Sequence, residues 1–272
     1  MPDPFRYSIL IPATGYILQK LIKPFAGTQA RSYIYSYDLI NFFGFLLLFS
    51  LFYIFLKIFF SVITSLLGLF LFLAVIPLSV SGIWPEMDIF NFLFYISGFI
   101  LMFKSKEQFL PLILAVGMLN DKNIIFLIVF YIIYLITSKK LYTKKSFIAI
   151  ILSILSAATV YGALIWKFGF QSNGDIFQVS GNIDNISLIM QISIVVAFIF
   201  VFLSLKAYKL SSNFFKWSFI SVSVYIILFF LFDNMNGFGK FLPAYLILIP
   251  MTLQALTSES TVIKLKISTN TV

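Results

Sequence analysis

Apolar stretches almost free of charge recur along these 272 residues: Leu39 to Leu56, Ile58 to Gly82, Ile148 to Trp166, Leu188 to Leu205 and Phe219 to Phe232. Nothing else in the sequence restricts its architecture so tightly. Each stretch approaches the roughly 20 residues that cross a hydrocarbon core as a helix. A backbone in lipid must satisfy its own hydrogen bonds, so several such stretches assemble as a helix bundle. Barrel strands would instead alternate over segments of about ten residues, and that alternation is absent. Apolar residues make up 61% of the chain and charged ones 11%, against roughly a quarter charged in soluble domains. The expected fold class is therefore all-α: a polytopic transmembrane helix bundle.

The chain has no cysteine and no histidine. That removes disulfides, thiolate chemistry, imidazole haem ligation and most zinc or copper sites, so no metal, haem or other cofactor is expected. The net charge of +9 sits on lysines at the ends of apolar segments, the pattern of a membrane protein and not of a nucleic-acid binder. The opening Met1-Pro2-Asp3-Pro4-Phe5-Arg6 lacks the basic and apolar regions of a secretory signal.

Lysines also set the topology. Lys104 and Lys106 precede one hydrophobic block and Lys139, Lys140, Lys144 and Lys145 follow it, which places both clusters on the cytoplasmic side. The block between them must enter and return. Its arms, Phe109 to Leu119 and Ile124 to Ile136, are about 16 and 20 Å long, short of the roughly 30 Å core. Propagated along the chain, this orientation gives about seven full crossings plus the short helical hairpin. The N-terminus then lies outside and the C-terminus in the cytoplasm. Residues 39–256 form the bundle and 257–272 a cytoplasmic tail. Residues 1–38 mix apolar positions with Lys20 and Lys23, and Pro12 and Pro24 bracket a helix-length segment. An interfacial amphipathic helix is expected there, with Arg6, Lys20 and Lys23 meeting lipid head groups. A loop lying over the bundle fits the same residues.

Ionisable groups at membrane depth are costly and mark functional sites. Asn120, Asp121, Lys122 and Asn123 interrupt the apolar hairpin and are the most informative such group. A solvated turn in which Asp121 pairs with Lys122 explains them equally well. Glu86 and Asp88, after Trp84-Pro85, can serve as acid and base or hold a divalent cation. The expected role of Asp88 is plainer, a helix N-cap. Asp233, Asn234, Asn236 and Lys240 read as a connecting loop. Asn185-Ile186-Ser187 matches a glycosylation acceptor but abuts the next crossing. No seam of small residues at GxxxG spacing stands out, and the 35 phenylalanines read as ordinary filling for a chain in lipid, with no cofactor box among them.

The order of these features resembles a group of polytopic proteins related to the GT-C glycosyltransferases. Pro4-Phe5-Arg6-Tyr7-Ser8-Ile9-Leu10-Ile11-Pro12 is similar to that group's amphipathic opening, with Ser8 in place of a second arginine. Leu119-Asn120-Asp121-Lys122-Asn123 keeps the leucine and asparagine of its leucine-asparagine-arginine-glutamate-threonine run, while Asp121 and Lys122 replace the arginine and glutamate. Gly237-Phe238-Gly239-Lys240-Phe241 falls where an acidic-x-arginine motif would lie. The resemblance implies a scaffold that handles polyprenyl-phosphate sugars, and the lost charged positions imply that the parent chemistry is gone. Three functions are thus expected in turn. The first is a non-catalytic subunit packed against other membrane proteins and lipid. The second is a lipid-linked glycan handling protein or transferase. A transporter comes third.

Overall fold

A computed structural model of the chain describes residues 8–79, 85–169, 187–232 and 238–257. They form ten α-helices, and no strand occurs among them. In chain order these are α1 (Leu10–Ala26), α2 (Gln29–Leu56), α3 (Val62–Ser79), α4 (Pro85–Phe103), α5 (Leu110–Met118), α6 (Phe126–Thr137), α7 (Lys144–Phe168), α8 (Leu188–Ala207), α9 (Asn213–Phe232) and α10 (Tyr245–Thr257). Short 3-10 segments at Glu107–Phe109, Lys122–Ile125 and Phe238–Ala244 lead into α5, α6 and α10. Residues Arg6, Asn185 and Asp233 to Asn236, and the tail beyond Thr257, lie outside the described residues.

Seven helices are long and apolar enough to cross a membrane: α2, α3, α4, α7, α8, α9 and α10 with the 3-10 segment before it. The chain is a polytopic helical membrane bundle. Helices α5 and α6 form the expected short hairpin, with arms of about 14 and 18 Å. Local chemistry sets the ends. Thr28, Thr143 and Ser187 cap α2, α7 and α8, their hydroxyls accepting from the backbone N–H of Arg31, Ser146 and Met190. Pro85 occupies the first position of α4, where its missing N–H costs nothing. Gly27, at φ 71°, turns the chain from α1 into α2.

The expected boundary at residue 38 falls inside α2, which begins at Gln29 and runs unbroken for about 42 Å. Helix α1 packs antiparallel along its first turns. Gly15 makes room there for the ring of Tyr37. The physical reason is support from α1: it covers Ser32, Ser36 and Ile40, so the polar start of α2 holds its helical form.

At the centre stands α10. Together with its 3-10 lead it is 83% buried, whereas the crossing windows of α7 and α8 are 22% buried. Helices α3, α8 and α9 surround α10, and α4 packs against α2, the hairpin and the 3-10 lead. Serine hydroxyls stitch these contacts. Ser204 Oγ donates to the carbonyl of Leu248 at 3.3 Å, Ser193 Oγ to that of Leu78 at 2.7 Å and Ser156 Oγ to that of Pro111 at 2.7 Å. A small-residue seam does exist, contrary to expectation. On α7, Ala149, Ser153 and Ala157 are buried at four-residue spacing against α5. Alanine and serine build it, so a search for glycine pairs misses it. Phenylalanine also fills the core. Phe59, Phe103, Phe214 and Phe215 meet edge to face in the core.

These same contacts fix one end of the molecule, where Ser211 Oγ donates to Gln254 Oε1 at 2.6 Å and Lys145 Nζ lies 3.7 Å from Glu107. Lys57, Lys104, Lys106, Lys139, Lys140, Lys144, Lys145, Lys206, Lys209 and Lys216 lie in or beside the turns of that end. The hairpin tip and the start of α4 lie at the other.

Candidate functional site

Helix α4 organises the lysine-poor end. Its first turn holds Glu86 and Asp88, whose carboxylates complement the free N–H groups and the helix dipole. Asp88 is not the expected N-cap, because the helix begins at Pro85 and Asp88 lies within it. Two residues apart on a helix, the two carboxylates face different neighbours. Glu86 is buried and accepts from Asn41 Nδ2 of α2 at 3.0 Å. Asp88 faces the 3-10 lead of α10, where only a glycine fits: a Cβ on Gly239 would overlap the Asp88 carboxylate. Asp88 also lies within electrostatic range of Asp121 and Lys240.

The hairpin tip descends along α4 about one helical turn at a time. Asn120 Nδ2 donates to the carbonyl of Met87 at 2.9 Å, Asn91 Nδ2 donates to Asp121 Oδ2 at 3.3 Å, and the Tyr95 hydroxyl donates to the carbonyl of Asn123 at 2.6 Å. The tip is thus recessed between about 3 and 15 Å below the start of α4. Asp121 closes the turn on itself, accepting from Asn123 N at 3.0 Å and Asn123 Nδ2 at 3.3 Å. Helix α1 docks on the same tip, with Ile9 N and Leu10 N donating to the carbonyl of Leu119 at 2.8 and 3.0 Å.

Of the residues singled out from sequence, Glu86, Asp88, Asn120, Asp121 and Asn123 therefore come together. Lys122 does not join them. It is exposed, while Asp121 accepts from the side-chain amides of Asn91 and Asn123. Lys20 and Lys23 lie on the exposed face of α1, at least ten residues beyond its docked end, and Lys20 sits 4.5 Å over the ring of Tyr16. Lys240, expected in a plain loop, stands at the site, and its carbonyl accepts from the Tyr225 hydroxyl at 2.7 Å. Asn41, Asn91, Tyr95 and Tyr225 were not anticipated. The available signal was an amide inside an otherwise apolar crossing, which at membrane depth needs a partner.

The chemistry of the cluster is one-sided. The side-chain oxygens of Asn41, Asn91 and Asn120 are buried and have no hydrogen-bond partner among the described residues. Rotating the amides would not help. Their NH2 groups serve a Glu86 carboxylate, an Asp121 carboxylate and a Met87 carbonyl, all acceptors. The site therefore holds more acceptors than donors, and a buried acceptor left unmatched costs about 1–3 kcal/mol. Among the described residues no group of three or more carboxylates is placed to hold a metal ion. Compared with known proteins, the chain matches no family model, no curated protein and no solved structure.

Proposed function

We propose that this membrane protein binds the hydroxyl-rich head group of a membrane amphiphile, a lipid-linked glycan in the broad sense, at its outer end. The observation that carries the reading is the set of buried, unpartnered amide oxygens beside Glu86, Asp88 and Asp121. Sugar hydroxyls are compact donors that satisfy such acceptors, and an uncharged head group also avoids opposing the carboxylates. The orientation belongs to the same proposal. The lysine-rich turns face the cytoplasm under the positive-inside rule, which puts the recessed tip on the outer side.

The test is thermal stability of the purified chain in a phosphocholine detergent, with octyl glucoside compared against a zwitterionic amphiphile of the same chain length. Glucoside should raise the melting temperature, because a ligand at 100 times its Kd stabilises by about 2.7 kcal/mol. Asn91→Leu should abolish the increment while the protein still melts cooperatively. Equal effects of the two amphiphiles would defeat the reading.

The subunit reading has an observation of its own. The hairpin of α1 and the start of α2 exposes Tyr16, Ile17, Leu21, Phe25, Tyr33 and Ile34, apolar surface that a neighbouring membrane protein would cover. Stoichiometric companion chains after mild-detergent purification would favour that reading, particularly if glucoside has no effect.

A further inference from the structure

The lysine-rich end carries the opposite imbalance, donors in excess of acceptors. Three turns adjoin there: the one that ends α4, the one that ends α6 and the one that starts α7. Lys140 Nζ, after α6, donates to Ser105 Oγ, after α4, at 3.4 Å and to the Tyr134 hydroxyl at 3.5 Å. Lys145, in the first turn of α7, lies 3.7 Å from Glu107. Lys104, Lys106, Lys139 and Lys144 fill out the rim, all of them exposed. Among the described residues Glu107 is the sole carboxylate at this end, and it is engaged with Lys145.

Lysines past the end of a helix ordinarily satisfy its last carbonyls. Here the backbone already does so. Both helices end in left-handed residues, Ser105 at φ 55° and Lys139 at φ 57°, and the N–H groups of Lys106 and Lys140 return to the carbonyls of Leu101 and Leu135 at 2.8 and 2.9 Å. On α7 the lysines oppose the helix. Lys144 and Lys145 stand in its first turn with no acidic residue beside them, where the dipole favours negative charge. An anion seated among these turns relieves both the crowding of like charges and the opposed dipole.

The donors converge as well as the charges. Lys140 reaches its two hydroxyls at distances long against the roughly 2.9 Å of a full N–H···O bond. Each hydroxyl accepts from the ammonium, and neither has an acceptor of its own among the described residues. Tyr134 is only 6% exposed, with its hydroxyl against that ammonium. Phosphate oxygens, which only accept, match such a set. Depth selects the source of the phosphate. Ser105 and Lys140 come two and three residues after the ends of α4 and α6, just past an apolar crossing, where lipid phosphates lie. The exposed apolar residues Phe109 and Ile136 stand about a turn further in, as acyl chains require.

We infer that these turns bind the phosphate of an anionic phospholipid, with Lys140, Ser105 and Tyr134 donating to its oxygens and the surrounding lysines balancing its charge. The site is independent of the head-group reading at the other end. Only its leaflet, the cytoplasmic one, follows from the orientation proposed above.

The test follows the melting temperature of the purified full chain in a maltoside detergent, which carries no phosphate, against added lipid. Short-chain phosphatidylglycerol should stabilise the protein, and phosphatidylcholine with the same chains should not. Tyr134→Phe removes one donor and no charge, and Ser105→Gly removes another while suiting the positive φ. Each should raise the apparent Kd for phosphatidylglycerol about tenfold, the worth of a hydrogen bond to a charged group. Lys140→Gln should raise it further. Lys209→Gln, in another turn of the same end, should change it by no more than about twofold. Equal response to the two lipids would overturn the site. So would a Kd that moves as much with Lys209→Gln as with Lys140→Gln and not at all with Tyr134→Phe, the signature of diffuse surface charge. Inorganic phosphate stabilising as well as the lipid would overturn it too, in favour of a free anion.

Discussion

Alanine in place of Asp121 removes the two oxygens that hold the amides of Asn91 and Asn123, leaving buried donors without acceptors. A stability loss of about 1–3 kcal/mol follows for each orphaned group, visible as a clear fall in melting temperature in a fixed detergent. Lys122→Ala should change it by only about 0–1 kcal/mol, because that ammonium is exposed. Equal effects of the two substitutions would mean that the tip is held as an ion pair after all. Gly239 offers a sharper test. Gly239→Ala drives a methyl into the Asp88 carboxylate, and overpacking of this kind costs about 1–3 kcal/mol. The double variant with Asp88→Ala should recover part of the loss, because the carboxylate is gone while the Asp88 Cβ still lies 2.8 Å from the added methyl, and additive effects in that cycle would show that the two positions are not in contact. At this scale the sequence was legible where charge interrupts an apolar run, as at Asn120 to Asn123. It was illegible where a single amide sits in a long crossing. Asn41 and Asn91 acquire meaning only once Glu86 and Asp121 are placed opposite them.

Among the elements, α7 joins the bundle by its smallest side chains. Ala149, Ser153 and Ala157 let it approach α5, and the Ser156 hydroxyl adds a bond to the carbonyl of Pro111. Ala157→Leu should therefore destabilise by about 1–3 kcal/mol by forcing α7 away, whereas Leu155→Ala on the exposed face of α7 should leave the melting temperature of the purified protein nearly unchanged. The crossings were readable from hydropathy because lipid demands a continuous apolar helix of fixed length. The start of α2 was not. Arg31 and Asp38 lower its hydropathy, and what keeps it helical is α1 lying alongside, a tertiary contact that no local window contains. The extent of the hairpin was readable because the lysines on both sides bound it, but its docking against Met87, Asn91 and Tyr95 depends on the packing of α4.

For the whole molecule, orientation is the property to measure first. The chain has no cysteine, so single reporters carry no background. Ser146 would be a poor reporter because it is buried and engaged with Thr143. Tyr142, almost fully exposed before α7, and Lys167, exposed near its far end, are better. In intact cells an impermeant thiol reagent should label Lys167→Cys and spare Tyr142→Cys. The opposite pattern would invert the bundle and place the acceptor cluster in the cytoplasm.

The burial of α10 has a consequence for how the molecule is made. The most enclosed crossing comes later in the chain than α3, α8 and α9, the helices it holds apart. A ribosome adding about 5–20 residues per second needs roughly 10–40 s to travel from the end of α3 to the end of α10. Throughout that interval the faces destined for Leu246, Ile249 and Leu253 have nothing to close on. The nascent bundle must wait in the membrane with its middle open, filled by lipid or by a chaperone, until its central post arrives. A ribosome that stalls late in this message therefore leaves a hollow ring of helices, the kind of intermediate that membrane quality control removes.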